Sequence, residues 1–150
     1  MRDDAKLSDG VVTLSPPGPD HPEQPGHPEP DPLSWRPHGP AVVFGIRAGR
    51  LLGTLELRPA RTADGLADGD VDLRYALAPD ARGRGLATRA VLLGCAHARA
   101  AGARRAVAAT PVDDPAAAAV ARRAGFVRRG QISRADGTAH DWWVRDLDRD

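Results

Sequence analysis

The chain has 150 residues, of which 41% are hydrophobic, and this length suits one domain that buries about 68–70% of its unfolded surface. A formal net charge of +1 argues against wholesale electrostatic binding to nucleic acid or to an anionic membrane. With Cys95 as the one cysteine and no apolar run near the roughly 18 residues of a membrane span, we expect a single cytoplasmic domain over residues 1–150, without a metal site.

The first third of the chain combines one strand pattern with a proline-rich stretch. A turn signal at Asp9 and Gly10 precedes the β-rich run 11–14, which predicts a short first strand. Residues 16–40 then contain ten prolines, and each proline removes a backbone donor and restricts the residue before it. This stretch is therefore predicted to be an irregular connection, which Trp35 anchors to the domain.

Three further strands are predicted before the first helix. The runs 41–46 and 51–57 flank a short turn that contains Gly49, an arrangement typical of a hairpin. From 70 to 78, apolar residues alternate with polar ones, the period expected of a strand with one buried face. The alternation puts Tyr75 on the buried face and Asp72 on the opposite one.

A helix is predicted over residues 85–101, with an apolar stripe through Leu86, Ala90, Leu93 and His97. The acidic residue Asp114 before a proline is a strong start signal for a second helix. The remaining predicted elements are a strand at 105–110, the second helix at 116–124, and a final hairpin of 126–132 with 139–147.

The turn between the strand at 70–78 and the first helix reads Arg82-Gly83-Arg84-Gly85. Two glycines at such a turn allow a ligand to approach the backbone, and the N–H groups at a helix start attract anions. Arg82, Arg84 and Arg89 add positive charge at the same place. An anion is therefore the expected ligand of this turn.

The same turn carries a family resemblance. Its pattern Arg82-x-x-Gly85-x-Ala87 resembles the pyrophosphate-binding signature of the GCN5-related N-acetyltransferase (GNAT) superfamily, Arg/Gln-x-x-Gly-x-Gly/Ala. Three more stretches resemble the subgroup that includes the ribosomal-protein alanine acetyltransferases, namely 75–79 before the turn, 114–117 opening the second helix and 124–126 closing it. The resemblance extends from about residue 42 to residue 147.

This resemblance implies a single α/β domain with a mixed, mostly antiparallel sheet, splayed central strands and two main helices. In this chain, the proline-rich stretch would replace the family's first helical pair. The resemblance also implies direct transfer of an acetyl group from acetyl-coenzyme A (acetyl-CoA) to a primary amine, either a small molecule or a protein or peptide N-terminus, by a monomer or homodimer.

The resemblance further implies where acetyl-CoA would bind. Backbone N–H groups of the glycine turn would hold the pyrophosphate, the end of the preceding strand would pair with the pantetheine arm, and an N–H near Leu77 could donate to the thioester carbonyl. Asp114 and Ala117 stand where the subgroup usually has Asn and Ser. The implied cofactor-binding residues are Ala76, Leu77, Ala78, Arg82, Gly83, Arg84, Gly85, Leu86, Ala87, Thr88, Asp114 and Ala117.

The catalytic residues are indicated by position within the same resemblance. Asp72 stands where the subgroup often has Glu and is the first candidate for a general base, with Glu56 on the neighbouring strand as the second. Tyr75 could orient the substrate or serve as an acid. Many members have a tyrosine where this chain has Ala121, so the second helix offers no acid for the leaving thiolate.

Other interpretations of the glycine turn, of the two carboxylates and of the domain's function remain open. A P-loop would need a lysine after its glycines, and Lys6 is the last lysine in the chain; a Rossmann fingerprint would need glycine in place of Thr88. Asp72 and Glu56 could also be solvated strand residues paired with arginines. A catalytically degenerate domain that binds acyl-CoA, with a regulatory or structural role, is the alternative to the enzyme.

Overall fold

The structure, a computed structural model, describes residues 7–15, 35, 40–59, 69–83, 85–133 and 135–147. Most of the proline-rich stretch therefore lies outside the described residues, and so does Arg84. The expected replacement of the family's first helical pair falls on that stretch.

In the described part of the chain, eight strands form one sheet, and two α-helices follow its central strands. The strands are β1 (Leu7–Ser8), β2 (Thr13–Ser15), β3 (Val42–Arg47), β4 (Leu51–Pro59), β5 (Asp70–Leu77), β6 (Arg105–Pro111), β7 (Val127–Ser133) and β8 (Ala139–Asp146), and the helices are α1 (Leu86–Ala100) and α2 (Pro115–Arg123). The spatial order is β1-β2-β3-β4-β5-β6-β8-β7, and β5 with β6 is the parallel pair. The predicted α/β class with a mostly antiparallel sheet is confirmed.

The N-terminus differs from the prediction. One strand was expected at 11–14, but the chain forms a small hairpin of β1 and β2, paired from Leu7 with Leu14. Asp9 explains the shift, because its Oδ1 accepts hydrogen bonds from the N–H groups of Val11 (2.9 Å) and Val12 (2.8 Å). Those two residues therefore belong to the turn, and β2 begins only at Thr13.

The two central strands diverge along their length. β5 and β6 pair only from Asp70 with Arg105 to Asp72 with Val107, although β5 continues to Leu77 and β6 to Pro111. The gap between residues 73–77 of β5 and 108–111 of β6 is called the wedge below. The expected splay of the central strands is confirmed.

Helix α1 packs closely on β4 and β5 through small residues. A Cβ atom at Gly94 would lie 2.6 Å from Leu55 Cδ2 and 3.2 Å from Leu73 Cδ2. The predicted stripe is correct at Leu86 and Ala90, but Leu93 and His97 are only partly buried. The buried residues of the helix are Leu86, Ala87, Ala90, Val91, Gly94, Cys95 and Ala98.

The sheet thus has two unlike faces. Leu55, Leu73 and the neighbouring apolar residues face α1, and both helices lie on this helix side, where α2 brings Arg122 to 5.3 Å from the ring centre of Trp143. The opposite face, called the second face below, carries Asp72 and, by strand alternation and pairing, Val107 and Trp142.

Candidate active site

The glycine turn ends at a helix start that has no side-chain cap. Gly83 and Gly85 have φ angles of 77° and 75°, a left-handed backbone region that favours glycine. A Cβ atom at either position would meet nothing within 4 Å. Gly85 is the N-cap residue of α1, and no side-chain hydrogen bond caps the helix there. The first N–H groups of the helix, at Leu86, Ala87 and Thr88, have no partner within the helix itself and are suited to hold an anion.

Thr88 adds a polar atom in the first turn of α1. Its Oγ1 is buried and has no hydrogen-bond partner among the described residues. A buried hydroxyl without a partner costs free energy, and a ligand oxygen bound at the helix start would relieve that cost. This hydroxyl therefore fits the binding of phosphate oxygens.

The positive charge at the turn is smaller than the sequence indicated. Arg89 Nη1 lies 2.9 Å from Asp9 Oδ2, so the hairpin of β1 and β2 neutralises much of its charge. The N–H of Val12 is the main reason why the pKa of Asp9 is lowered to about 2, and Arg89 lowers it further. Arg82 stays exposed at the turn and donates from Nε to the carbonyl oxygen of Leu77 at 3.3 Å.

The end of β5 presents alternate backbone groups to its two neighbours. Ala78 donates its N–H to Leu52 O at 2.8 Å, and Ala78 O accepts from Ala81. By the alternation of an antiparallel ladder, the N–H of Ala76 also turns toward β4, whereas those of Tyr75 and Leu77 turn toward the wedge. Of the three residues expected to meet the pantetheine arm, Leu77 is thus the one that directs its N–H into the wedge.

Tyr75 lies on the helix side, near the start of α2. Burial, and then the negative charge of Asp114, raise the pKa of its hydroxyl. Asp114 itself caps the helix, since its Oδ1 accepts from the N–H of Ala117 at 3.0 Å. Ala121, where many family members have tyrosine, is buried and carries no hydroxyl.

Asp72 and Glu56 lie together on the second face, within a cluster of four charges. Glu56 is opposite Arg74, and Arg58 is opposite Asp72. Burial raises the pKa of Asp72, the Arg74 and Arg58 charges oppose that rise, and Glu56 adds to it. The structure therefore brings the two candidate bases together, while Tyr75 is on the other side of β5.

Two aromatic residues of β8 face opposite sides of the sheet. Trp143 is buried on the helix side and donates its Nε1–H to Thr110 Oγ1 at 2.9 Å, whereas Trp142 packs on Val107 and Val144 of the second face. No pattern in the sequence indicates that Trp142 lies one strand away from the wedge. Its neighbours depend on the register of β6 with β8, and alternation within one strand does not reveal that register.

Two kinds of feature, a metal-ligand cluster and a membrane-spanning helix, are absent from the described residues. No group of three or more His, Cys, Asp or Glu side chains among them could hold a metal ion. No helix in the described part of the chain is long and apolar enough to cross a membrane.

The residues present fit acetyl-CoA. Space beside Gly83 and Gly85, an uncapped helix start and the buried Thr88 hydroxyl are suited to a pyrophosphate. The N–H of Leu77 in the wedge is suited to an extended arm that carries an acyl group.

Comparison with known proteins agrees with this fit. A model of the acetyltransferase (GNAT) family matches residues 13–126. No curated protein sequence is similar enough to count as a match. Many solved structures share the fold, and three of them are described here.

The microcin C7 self-immunity acetyltransferase MccE, solved with acetyl-CoA and AMP, is 19% identical, with a TM-score of 0.61 over 71% of this chain and 61% of that protein. Mycobacterium smegmatis RimJ, solved with a CoA disulfide, is 25% identical (TM-score 0.64, 73% and 54%). The Salmonella typhimurium acetyltransferase that modifies the N-terminal serine of ribosomal protein L7/L12 is also 25% identical (0.62, 73% and 66%). The chain thus spans about half to two thirds of these relatives. The family model, which covers more than half of the chain, establishes that this protein belongs to the acetyltransferase (GNAT) family.

Proposed function

We propose that this protein is an N-acetyltransferase that moves the acetyl group of acetyl-CoA onto a primary amine. The observation that carries the proposal is that β5, whose end borders the wedge, leads through the glycine turn to the uncapped start of α1. A single ligand can run from the glycine turn into the wedge, which suits a molecule with a pyrophosphate at one end and a reactive acyl group at the other.

Acetyl-CoA would supply an acyl group activated as a thioester. The N–H groups of Leu86, Ala87 and Thr88 would hold the pyrophosphate at the positive end of the α1 dipole. The N–H of Leu77 would donate to the acyl carbonyl oxygen, an interaction worth about 3–4 kcal/mol for one donor in other enzymes. These are backbone groups, so their positions are fixed before the substrates bind.

Asp72 is the proposed general base. A bound ammonium group must lose one proton before its nitrogen can attack, and the raised pKa of Asp72 makes it a stronger base than an ordinary aspartate. Because Asp72 lies five residues before Leu77 on β5, about 16 Å along an extended strand, the proton would reach it through water. The nitrogen loses its second proton as the C–N bond forms and the C–S bond breaks, and the sulfur leaves as a thiol. Tyr75 keeps its proton at neutral pH, because its pKa is raised; it can donate that proton to the sulfur and take up the second nitrogen proton in its place.

The cofactor site is tested with Gly85→Glu. A carboxylate at the helix start would repel the pyrophosphate, so calorimetry should detect no acetyl-CoA binding while the circular dichroism spectrum stays that of the wild type. Gly137→Glu is the matched control, because Gly137 also has a positive φ (87°) with nothing within 4 Å of its Cβ position but lies in the hairpin of β7 and β8. Equal affinity in wild type and Gly85→Glu would refute the site.

The acceptor side of the proposal covers small amines and the N-termini of peptides. We further propose a cytoplasmic location, which the single cysteine Cys95 favours, and a monomer or homodimer. A second candidate, a domain that binds acyl-CoA without turnover, is favoured by Ala121 in place of the usual tyrosine. Thiol release from acetyl-CoA, followed against amines, peptides and aminoglycosides, separates the two: tight binding without release on any acceptor would support the second.

A further inference from the structure

The second face places three kinds of chemistry beside the wedge. Asp72 is the last residue of β5 that pairs with β6, and its partner is Val107. Arg74, two residues further on the same face, stands where β6 has moved away. Across the wedge, Ala109 of β6 pairs with Trp142 of β8. A carboxylate, a guanidinium group and an aromatic ring therefore lie near the point where β5 and β6 part.

The side chain of Trp142 packs against the buried pair formed by Val107 of β6, which is the partner of Asp72, and Val144 of its own strand. Its two lateral neighbours are small: Ala109 on one side and, on the other, Gly130, where a Cβ atom would lie 3.7 Å from Trp142 Cδ1. The ring is partly exposed and offers an apolar surface at the edge of the wedge.

Among the described residues, the four charges clustered around Asp72 on β4 and β5 sum to zero. Asp72 and Glu56 carry two negative charges, and Arg58 and Arg74 carry two positive ones. A polyamine would need an excess of acid, and the N-terminus of a peptide would bring only a cation. A zwitterion can match both signs at once. Its ammonium and carboxylate groups can replace the contact of 3.4 Å between Arg74 Nη2 and Asp72 Oδ2.

We propose that the acceptor is a free α-amino acid with an apolar or aromatic side chain. Its ammonium group faces Asp72, its carboxylate pairs with the guanidinium of Arg74, and its side chain packs on Trp142. Half of the Arg74 side chain is exposed, so it can rotate toward such a carboxylate with little loss of packing. This inference rests on the proposed acetyl transfer and narrows its substrate class.

The reaction balances for such a substrate. The ammonium nitrogen gives one proton through water to Asp72, and from there the proton passes to bulk solvent. The nitrogen then gains the acetyl carbon, while the C–S bond breaks and the second nitrogen proton ends on the sulfur. The products are an N-acetyl amino acid, free CoA thiol and one released proton.

The test compares L-phenylalanine with L-phenylalaninamide, which keeps the amine and the ring but lacks the negative charge, and with spermidine. A charge-assisted pair with arginine should give the amino acid an advantage of at least about tenfold in kcat/KM. Arg74→Gln should reduce that advantage to less than about threefold, mainly through KM, and Arg74→Lys should restore part of it because a point charge remains.

Arg58→Gln is the matched control. It removes the same charge from the same cluster, but Arg58 lies one strand further from the wedge, so the ratio between acid and amide should stay at the wild-type value. Trp142→Leu should raise KM for L-phenylalanine several-fold and leave KM for L-alanine nearly unchanged.

The outcomes separate this inference from the function on which it rests. Acetylation of the amide or of spermidine in preference to the amino acid would overturn the inference and leave the acetyltransferase standing. An equal loss of the ratio in Arg74→Gln and Arg58→Gln would overturn it too, since it would indicate an effect on Asp72 alone. Binding of acetyl-CoA with no thiol release on any of the three acceptors would instead refute the proposed function.

Discussion

Asp70 and Asp72 lie two residues apart on the same face of β5, and their carboxylates meet different surroundings. Asp70 is 1% exposed, and Arg105 donates to both of its oxygens, at 3.2 and 2.8 Å. Asp72 makes a longer contact of 3.4 Å to Arg74, and there burial outweighs the nearby arginines. A partly desolvated carboxylate with a raised pKa is typical of a residue kept for chemistry rather than for stability.

This contrast predicts that Asp72→Asn stabilises the fold. The folded-state pKa of Asp72 lies above its unfolded value of 3.8, so ionisation costs stability above the folded-state pKa. The gain should therefore be full at pH 7, shrink as the pH falls through the folded-state pKa, and vanish below 3.8. Urea unfolding of both proteins between pH 4 and pH 8 measures it, and thiol release should fall in the variant.

Asp80→Asn is the control for that experiment. Asp80 pairs with Arg50 at 2.7 Å, but both side chains are more than half exposed, so the pair contributes little to stability. A variant at Asp72 that is less stable than the wild type at pH 7 would contradict the prediction.

At the scale of elements, β4 and β5 approach each other most closely at Gly53. A Cβ atom there would lie 2.9 Å from Leu77 Cα and would overlap the carbonyl oxygen of Ala76. These are backbone atoms, so the clash cannot be relieved by a change of rotamer. The close approach fixes the end of β5 that carries the Leu77 N–H.

Gly53→Ala should therefore push β5 away from β4. We expect a loss of about 1–3 kcal/mol in the free energy of unfolding, the usual cost of overpacking, together with weaker acetyl-CoA binding. Denaturant unfolding and calorimetry measure the two effects. Gly130→Ala is the matched control, because its nearest contact would be an ordinary 3.7 Å; equal stability of the two variants would count against the prediction.

The elements also indicate how far sequence reasoning reaches. The alternation of β5 and the glycine turn are local patterns, so the sequence predicted the faces of Asp72 and Tyr75 and the start of α1. β1 has only two residues, too few for any periodicity. Gly94 was missed because hydrophobic patterning gives no weight to glycine, although its lack of a side chain is what lets α1 contact the sheet.

The candidate site follows the same division. Arg82, Gly83 and Gly85 form one contiguous motif, which a single sequence can reveal. The meeting of Arg74 with Trp142 depends on where β5 leaves β6 and on the register of β6 with β8. Residues 29 to 41 positions apart, from Pro111 with His140 to Arg105 with Asp146, set that register, and no local pattern encodes it.

At the scale of the whole molecule, acetyl-CoA should stabilise the fold by mass action. At a ligand concentration about 100 times Kd, the gain is about 2.7 kcal/mol, which for a domain of this size corresponds to a rise of about 5–10 °C in Tm. Differential scanning fluorimetry across an acetyl-CoA titration measures the rise. Gly85→Glu should show none, and a wild-type Tm independent of acetyl-CoA would contradict the expectation.

The opposite orientations of Trp142 and Trp143 give the molecule a built-in optical probe. Trp35 and Trp143 are almost fully buried, so their emission reports the integrity of the core, whereas Trp142 is partly exposed on the second face. A ligand that covers Trp142 should shift only the solvent-sensitive, longer-wavelength part of the emission. In the same unlabelled protein, the wavelength of tryptophan emission can therefore distinguish acceptor binding from unfolding.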